Sequence, residues 1–279
     1  MDRGQLTKDN RQEHTCEGNM EYRTLSTTDL SVSRLSFGTL TFGSSTDEAA
    51  ASRAIDRCLA GGINFFDTAN VYNRGAAETL LGKALSGKRQ KVIVATKVGI
   101  KTGVPSEEGG LSRAALLKSL DASLKRLQTD YVDLFYLHLP DYAVPIEETL
   151  AAMDEAVRAG KVRYPAVSNY AAWQVCEIRW IGEKSGFEPF AVSQPMYNVL
   201  ARAIEDAAEP LGVDGVLLAL VAGKGARRRI VRGKRPDKFS RAAEHGSRSD
   251  SADADGSGPA PERPERILLL DVLDDHRTP

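Results

Sequence analysis

The stretch Gly62-Ile-Asn-Phe-Phe-Asp67-Thr-Ala-Asn-Val-Tyr72 decides how the rest of the chain is interpreted. Residues 63–66 predict a short buried strand, because glycines precede them and polar residues follow. Asp67 lies at the end of that strand, and Tyr72 lies in the loop after it. A phenol has a pKa of about 10. Tyr72 is therefore a useful proton donor only if a neighbouring group lowers that pKa.

The next two predicted strands end in residues that can act on such a phenol. Val92-Ile-Val-Ala-Thr-Lys97 ends in a lysine, and Val132-Asp-Leu-Phe-Tyr-Leu-His138 ends in a histidine. Ionisable residues at the carboxyl ends of three successive strands are typical of the active site of a (β/α) barrel. The pattern predicts an α/β fold with a catalytic site at the carboxyl end of a parallel sheet.

Strand-like and helix-like segments alternate up to about residue 212, as expected for parallel βαβ units. Six such units are predicted there, whereas a closed barrel needs eight. Gly215-Val-Leu-Leu-Ala-Leu-Val predicts a seventh strand, but Ile267-Leu-Leu-Leu-Asp-Val-Leu is an isolated apolar segment, and no eighth unit is predicted from it. The predicted fold class is an α/β (β/α)8 barrel that is incomplete, with six to seven βα units.

Composition divides the chain into three predicted parts. Residues 1–19 are polar and aperiodic, which predicts a disordered extension, and residues 20–222 form the partial barrel. Residues 223–279 are rich in Arg, Ser, Asp, Gly and Pro, which predicts a disordered tail. The arginine cluster 227–235 could neutralise nucleic-acid phosphates. No interleaved aromatic residues accompany it, so we favour a solvated run and predict no nucleic-acid partner.

The overall composition favours a cytoplasmic protein. The net charge of the 279 residues is −1, and no apolar run approaches the ~20 residues of a membrane span. The first residues lack the apolar segment of a signal peptide. Three widely spaced cysteines, Cys16, Cys58 and Cys176, predict reduced thiols and no metal site.

With these residues identified, the chain from residue 20 to about residue 213 resembles the aldo-keto reductases. Several short segments carry the resemblance, most of them at the ends of predicted strands and all in the family's order: Phe37-Gly-Thr, Gly62-Ile-Asn-Phe-Phe-Asp67-Thr-Ala, Tyr72, Ala95-Thr-Lys97, Leu137-His138, Gly160-Lys-Val-Arg, Val167-Ser168-Asn169-Tyr and Gln194-Pro-Met-Tyr-Asn. The layout is most similar to the bacterial and archaeal "predicted oxidoreductase" branch, which is itself similar to the potassium-channel β-subunits.

The resemblance implies an NADP(H)-dependent reductase acting on small-molecule carbonyl compounds. It implies that Tyr72 is the general acid, that Lys97 lowers the pKa of Tyr72, and that Asp67 holds Lys97. His138 would orient the substrate oxygen. The implied cofactor-binding residues, which would fix the nicotinamide end of the cofactor, are Gly38, Thr39, Asp67, Ser168, Asn169 and Gln194.

Each of these residues also has a simpler interpretation when taken alone. A strand-end aspartate usually caps a helix, a loop tyrosine is usually half-buried, and a strand-end lysine is usually solvated. The ordered set of all four catalytic candidates, not any single member, indicates the catalytic role. We interpret Met196 and Trp173 as packing residues.

Two departures from the family pattern bear on activity. Pro165-Ala166 stands in the fifth predicted strand, where a proline loses a ladder hydrogen bond and should weaken the strand that bears Ser168 and Asn169. After residue 213 the family's phosphate-binding segment is not recognisable, which leaves NADPH or NADH open and suggests a reading-frame shift near residue 214. The alternative function is a catalytically dead remnant or a non-catalytic cofactor-sensing subunit. Substrate identity and oligomeric state are not predicted.

Overall fold

The computed structural model describes residues 20–25, 28–102 and 109–196, together with the backbone of residues 216–221 and 266–271. The predicted disordered extension at 1–19, the arginine cluster at 227–235 and most of the predicted tail lie outside the described residues. The predictions made for them, including the reading-frame shift, remain predictions.

Ten strands and five α-helices are described. The strands are β1 (Tyr22–Thr24), β2 (Ser31–Ser33), β3 (Leu35–Gly38), β4 (Phe65–Asp67), β5 (Ile93–Val98), β6 (Val132–Leu137), β7 (Val162–Ser168), β8 (Val192–Gln194), β9 (Val216–Val221) and β10 (Arg266–Asp271). The helices are α1 (Glu48–Ala60), α2 (Ala76–Ala84), α3 (Arg113–Leu127), α4 (Ile146–Arg158) and α5 (Ala172–Ser185).

Strands β3 to β10 form a closed parallel barrel in chain order, and β10 returns to pair with β3. The predicted α/β barrel with alternating strands and helices is thereby confirmed. Five strand–helix units, β3–α1 to β7–α5, are described in full, and β9 coincides with the predicted seventh strand.

Strand β10 occupies the eighth strand position, in a segment from which no eighth βα unit was predicted. No complete strand–helix unit beyond β7–α5 is among the described residues. Strand β10 lies within the apolar segment that seemed isolated in the sequence, and its Leu268 to Leu270 pair with residues 35–37 of β3 and residues 219–221 of β9. A segment of this length becomes a strand because two neighbouring edges offer it backbone partners. That condition does not show in the local sequence.

Side chains of residues before the first turn cap two of the helices. The Asp47 side chain caps α1 by accepting a hydrogen bond from the Ala50 N–H at 2.8 Å, and Ser112 caps α3. The leucines that recur at helical spacing along α3 are buried: Leu116, Leu120, Leu124 and Leu127. These contacts place the helices outside the sheet and leave the carboxyl ends of the strands to the loops.

A two-stranded hairpin closes the amino-terminal end of the barrel. Strands β1 and β2 pair antiparallel, and Leu25, Leu30 and Val32 pack against the inward-facing residues of the barrel strands. Arg163, at the start of β7, holds this cover through two hydrogen bonds to the Asp29 carboxylate at 2.6 and 2.8 Å. The carboxyl end of the barrel is therefore the end at which a functional site can lie.

Pro165 occupies a place in β7 where the loss of its N–H has little effect. Strand β7 runs over seven residues, and the Pro165 carbonyl accepts a hydrogen bond from the Ala191 N–H at 3.0 Å. In a parallel pair with this register, the missing N–H would face residue 189, which precedes the start of β8 at Val192. After Pro165, strands β7 and β8 are paired up to Ser168, which lies opposite Gln194.

Candidate active site

Asp67 and Lys97 form a buried ion pair at the carboxyl ends of β4 and β5. The Lys97 ammonium donates hydrogen bonds to Asp67 Oδ1 and to the Thr68 carbonyl oxygen, the latter at 3.1 Å. Both side chains are at most 2% exposed. Gln194, at the end of β8, donates from Nε2 to Asp67 Oδ2 at 3.5 Å. Both oxygens of this carboxylate are therefore engaged.

Tyr72 lies beside this pair, as the sequence predicts. Its ring centroid is 5.3 Å from Lys97 Nζ, and the phenol is a hydrogen-bonding partner of the ammonium. The tight turn that carries Tyr72 has Asn73 and Arg74 in the left-handed region, at φ of 48° and 55°. Asn73 Nδ2 donates to the Leu40 and Phe42 carbonyl oxygens, both at 2.8 Å, and so fixes this turn against the loop after β3.

His138 follows β6 and faces Tyr72. The two ring centroids are 6.2 Å apart in an edge-to-face arrangement. The backbone N–H of His138 donates to the Val98 carbonyl oxygen at 2.8 Å, and the backbone carbonyl oxygen of His138 accepts from Asn169 Nδ2 at 3.0 Å. The imidazole Nδ1 is buried and has no hydrogen-bond partner among the residues with described side chains. The structure therefore brings all four catalytic candidates together.

Burial and mutual charge set the protonation states of the group. Burial raises the pKa of Asp67, against the opposing effect of Lys97. Burial alone would lower the pKa of Lys97, but Asp67 and Tyr72 outweigh it and raise that pKa, so the ammonium stays charged. Burial, assisted by the Lys97 charge, lowers the pKa of His138 to about 3. The imidazole is therefore neutral at physiological pH.

The predicted cofactor-binding residues of β7 and β8 are joined in one hydrogen-bond chain. Asn169 donates from Nδ2 to Ser168 Oγ at 3.0 Å, and Ser168 Oγ donates to the Gln194 carbonyl oxygen at 3.0 Å. Asn169 adopts the left-handed conformation, at φ 60°, which asparagine tolerates better than most residues. Within the described part of the chain, Asn169 Oδ1 and Gln194 Oε1 remain available as acceptors, which suits the NH₂ of a primary carboxamide.

Gly38 and Thr39, at the end of β3, contact the backbone of Asp67. Gly38 is paired with Asp67 in the strand register. The Thr39 N–H and Oγ1 both donate to the Asp67 carbonyl oxygen, at 3.0 and 3.2 Å. The structure thus gives these two residues a supporting role for Asp67 in addition to the predicted cofactor role.

Sequence reasoning missed the residues that support the catalytic group. Buried Glu78 of α2 accepts hydrogen bonds from Thr96 Oγ1 at 2.5 Å and from Arg126 Nε of α3 at 2.6 Å. Thr96 immediately precedes Lys97, so this contact fixes the end of β5. For the turn after Tyr72, the sequence offers one signal, which is Asn73, because asparagine tolerates left-handed backbone.

The described ranges contain neither a candidate metal-binding cluster nor a candidate membrane-spanning helix. No cluster of three or more His, Cys, Asp or Glu side chains able to hold a metal ion occurs there. No helix among those described is both long and apolar enough to span a bilayer.

Comparison with known proteins agrees with this geometry. The sequence profile of the aldo/keto reductase family matches residues 34–257. The chain belongs to the aldo/keto reductase family. The match extends past residue 213, the point at which the resemblance of individual segments ends.

Individual proteins with similar sequences are named as oxidoreductases or as a potassium channel subunit. The chain is 40% identical over 219 residues to "Uncharacterized oxidoreductase YrpG" of Bacillus subtilis, covering 73% of this chain and 67% of that protein. It is 35% identical over 226 residues to "Aldo-keto reductase YhdN" of the same organism, covering 79% and 66%. It is also 38% identical over 187 residues to "Probable voltage-gated potassium channel subunit beta" of Arabidopsis thaliana, covering 66% and 57%. The matched part of the chain thus spans between somewhat over half and about two thirds of the length of these relatives.

Proposed function

We propose that this aldo/keto reductase reduces aldehyde or ketone carbonyls of small molecules with NADPH, and that Tyr72 is the general acid. The observation that carries the proposal is the contact between Tyr72 and a buried Lys97 whose charge is secured by Asp67. A fixed ammonium beside a phenol favours phenolate and therefore lowers the pKa of the phenol towards the working pH.

The reaction has two balanced parts. When bound, the reduced nicotinamide would supply the hydride for the new C–H bond at the carbonyl carbon, and the loss of its own C–H bond would leave it oxidised. The carbonyl π electrons move to oxygen, and the Tyr72 O–H bond breaks to deliver a proton to that oxygen. The resulting phenolate lies next to the Lys97 ammonium, and this charge pair lowers the energy of the step.

His138 is proposed to orient the substrate oxygen as a neutral donor. Its ring lies edge-to-face with Tyr72 at 6.2 Å, so both side chains border the same space. With a pKa of about 3, the imidazole carries one N–H and no charge at neutral pH. It can direct the carbonyl oxygen towards Tyr72 without competing as an acid.

Asn169, Gln194 and Ser168 are proposed to hold the nicotinamide carboxamide. The support is their linked arrangement, in which Gln194 also contacts Asp67 and, within the described part of the chain, the amide oxygens of Asn169 and Gln194 are left as acceptors. Such a cradle restricts the cofactor to one orientation and makes hydride transfer effectively unimolecular. The preference for NADPH over NADH rests on the family resemblance.

The first experiment is a binding titration of the full chain with NADPH and NADH, followed through nicotinamide fluorescence. Turnover of a panel of small aldehydes and ketones is then measured with the cofactor that binds. We expect Tyr72→Phe to bind the cofactor nearly as the unmodified protein does, with kcat lowered by ~100-fold or more.

The matched control is Tyr131→Phe, which removes a phenol just before β6, at the amino-terminal end of the barrel. Its activity should equal that of the unmodified chain. Full turnover by the Tyr72→Phe variant would refute the general-acid assignment.

The second candidate function is a non-catalytic, cofactor-sensing subunit or an inactive remnant. The likeness to a protein named as a potassium channel subunit beta, and the partial span of the relatives, favour this candidate. Tight NADPH binding without turnover of any carbonyl compound in the panel would support a sensing role. Absence of binding by a folded chain would support a remnant.

A further inference from the structure

Tyr136 is a buried tyrosine of β6 that the proposed mechanism does not use. It is fully buried inside the barrel, and it lies opposite Lys97 in the register of β5 and β6. Its ring centroid is 5.6 Å from Lys97 Nζ. A tyrosine at this depth in the barrel is therefore directly adjacent to the group that activates Tyr72.

The Lys97 ammonium is surrounded by a carboxylate, a carbonyl oxygen and two aromatic rings, all of which attract a cation. Asp67 Oδ1 and the Thr68 carbonyl oxygen accept its hydrogen bonds. The faces of two aromatic rings border it as well, Tyr72 at 5.3 Å and Tyr136 at 5.6 Å. The negative face of an aromatic ring attracts a cation, and the attraction strengthens where water is excluded.

The hydroxyl group of Tyr136 differs from the Asp67 carboxylate and the Thr68 carbonyl group in its contacts. Among the residues with described side chains, none forms a hydrogen bond with it. Burial, with a further effect of the Asp67 carboxylate, raises the pKa of Tyr136 well above its usual value, so the phenol stays neutral. Among the described residues, Tyr136 therefore contacts the site through its ring and not through a charge or a hydrogen bond.

We propose that Tyr136 is a positioning residue for the proton donor, whose ring holds the Lys97 ammonium against Tyr72 from inside the barrel. This inference rests on the proposed role of Tyr72. Tyr136 acts only through Lys97, because it supports the cation that stabilises the Tyr72 phenolate. Without the ring, the ammonium would be less stabilised and less closely held, and the pKa of Tyr72 would rise.

Few titratable groups face this cluster from the described elements. Asp67 of β4 is the anion, Lys97 of β5 is the cation, and Tyr72 and His138 border the same space. Strands β7 and β8 contribute the uncharged Ser168 and Gln194. Since His138 and Tyr136 stay neutral near pH 7, the pKa of Tyr72 is controlled mainly by the Asp67–Lys97 pair and the ring beneath it.

The test is a direct titration of Tyr72, which needs no catalysis. The ultraviolet tyrosinate signal of the full chain is recorded against pH, and the signal of a matched Tyr72→Phe variant is subtracted. We expect Tyr136→Leu to raise the Tyr72 pKa by ~0.5 to 1 unit, a three- to tenfold change in the ionisation constant. Tyr136→Phe keeps the ring and should leave that pKa unchanged.

Two further measurements keep the test decisive if Tyr136→Leu folds poorly. Phenylalanines bearing one, two and three ring fluorines at position 136 preserve the shape of the ring while weakening its negative face. The Tyr72 pKa should rise stepwise along this series. In a Lys97→Met background, the changes at position 136 should have no effect on the Tyr72 pKa.

The inference is overturned if the fluorinated series leaves the Tyr72 pKa unchanged. It is also overturned if Tyr136→Phe shifts the pKa as strongly as Tyr136→Leu, or if the shifts persist without Lys97. Failure of the proposed function gives a different result: Tyr72 of the unmodified chain would titrate at about 10, and Tyr72→Phe would retain turnover.

Discussion

At the scale of single residues, the site depends on burial more than on residue type. An exposed aspartate–lysine pair contributes at most ~1 kcal/mol and leaves the charge of a neighbouring phenol solvated. Asp67 and Lys97 are buried, hydrogen-bonded and in contact with Tyr72. The same three side-chain types on a surface would be solvated and would not act on one another's ionisation in this way.

His138 gives a prediction about pH. Its pKa is about 3 in the folded protein and 6.5 ordinarily, so between these values the unfolded chain binds more protons than the folded one. The stability contribution is therefore fully present above pH 6.5 and is lost as the pH falls towards 3. In denaturant unfolding, the unmodified chain should lose stability relative to His138→Gln as the pH is lowered from 7 to 4.

Nuclear magnetic resonance gives an independent measurement of the same quantity. The His138 ring signals, assigned by their absence in His138→Gln, should not shift between pH 8 and pH 5. A midpoint near 6.5 would show that the imidazole is solvated and would remove the argument for a neutral donor.

Asn73 is expected to position Tyr72. Replacing it with alanine removes hydrogen bonds to the Leu40 and Phe42 carbonyl oxygens and leaves a residue that tolerates the left-handed backbone at φ 48° less well than asparagine does. We expect Asn73→Ala to lower stability by ~2 kcal/mol, from the lost bonds and the left-handed backbone together. The kcat for carbonyl reduction should fall while cofactor affinity changes little.

Asn73→Gly is the control, because glycine accepts the same φ without strain. It should recover the part of the stability that is due to the backbone and leave the loss that is due to the hydrogen bonds. Equal stability of both variants would show that the left-handed backbone carries no cost here.

At the scale of elements, Glu78 connects two helices to the strand that bears Lys97. Its carboxylate, fully buried on α2, accepts from Thr96 of β5 and from Arg126 of α3. Removing one partner of such a buried pair leaves the other charge uncompensated. Helix packing and the placement of Lys97 are thus linked through one side chain.

The Glu78→Gln variant is expected to lose ~3 kcal/mol of stability, measured by denaturant unfolding at neutral pH. Lys83→Met is a matched control, because Lys83 of α2 forms an exposed pair with Glu48 of α1 at 2.6 Å. That substitution should cost less than ~1 kcal/mol. Equal losses in the two variants would contradict the structural role assigned to Glu78.

At the scale of the whole molecule, barrel closure depends on β10. This strand pairs with β3 on one side and β9 on the other, so its removal would leave two parallel strand edges unpaired. Unpaired edges favour association between chains. The β1–β2 hairpin covers the amino-terminal end of the barrel and pairs with neither of these edges.

A chain ending at residue 264 is therefore expected to aggregate or to populate oligomers, as measured by size-exclusion chromatography with light scattering. A chain ending at Asp271 keeps β10 and should behave like the full chain. A monodisperse, equally stable product from the shorter chain would show that β10 is dispensable for closure.

Much of the fold could be predicted from local pattern. Glycine-bounded apolar strands, the leucine stripe of α3 and the caps at Asp47 and Ser112 are all local features of the sequence, and the structure contains each of them. Strand β10 could not be predicted, because its pairing depends on edges far away in sequence. Pro165 was expected to weaken β7, but its position beside the start of β8 makes the missing N–H inconsequential there.

The sequence by itself determined the alternating βα order and the ionisable residues at the strand ends, because hydrophobic period and strand-end chemistry are local properties. The family resemblance followed from those same residues. Only the tertiary structure decided that Tyr72 and His138 border the buried Asp67–Lys97 pair, and that Asn73, Glu78 and Tyr136 contact the residues around it. Burial and through-space contact set their pKa values, and both arise only when distant strands close into a barrel.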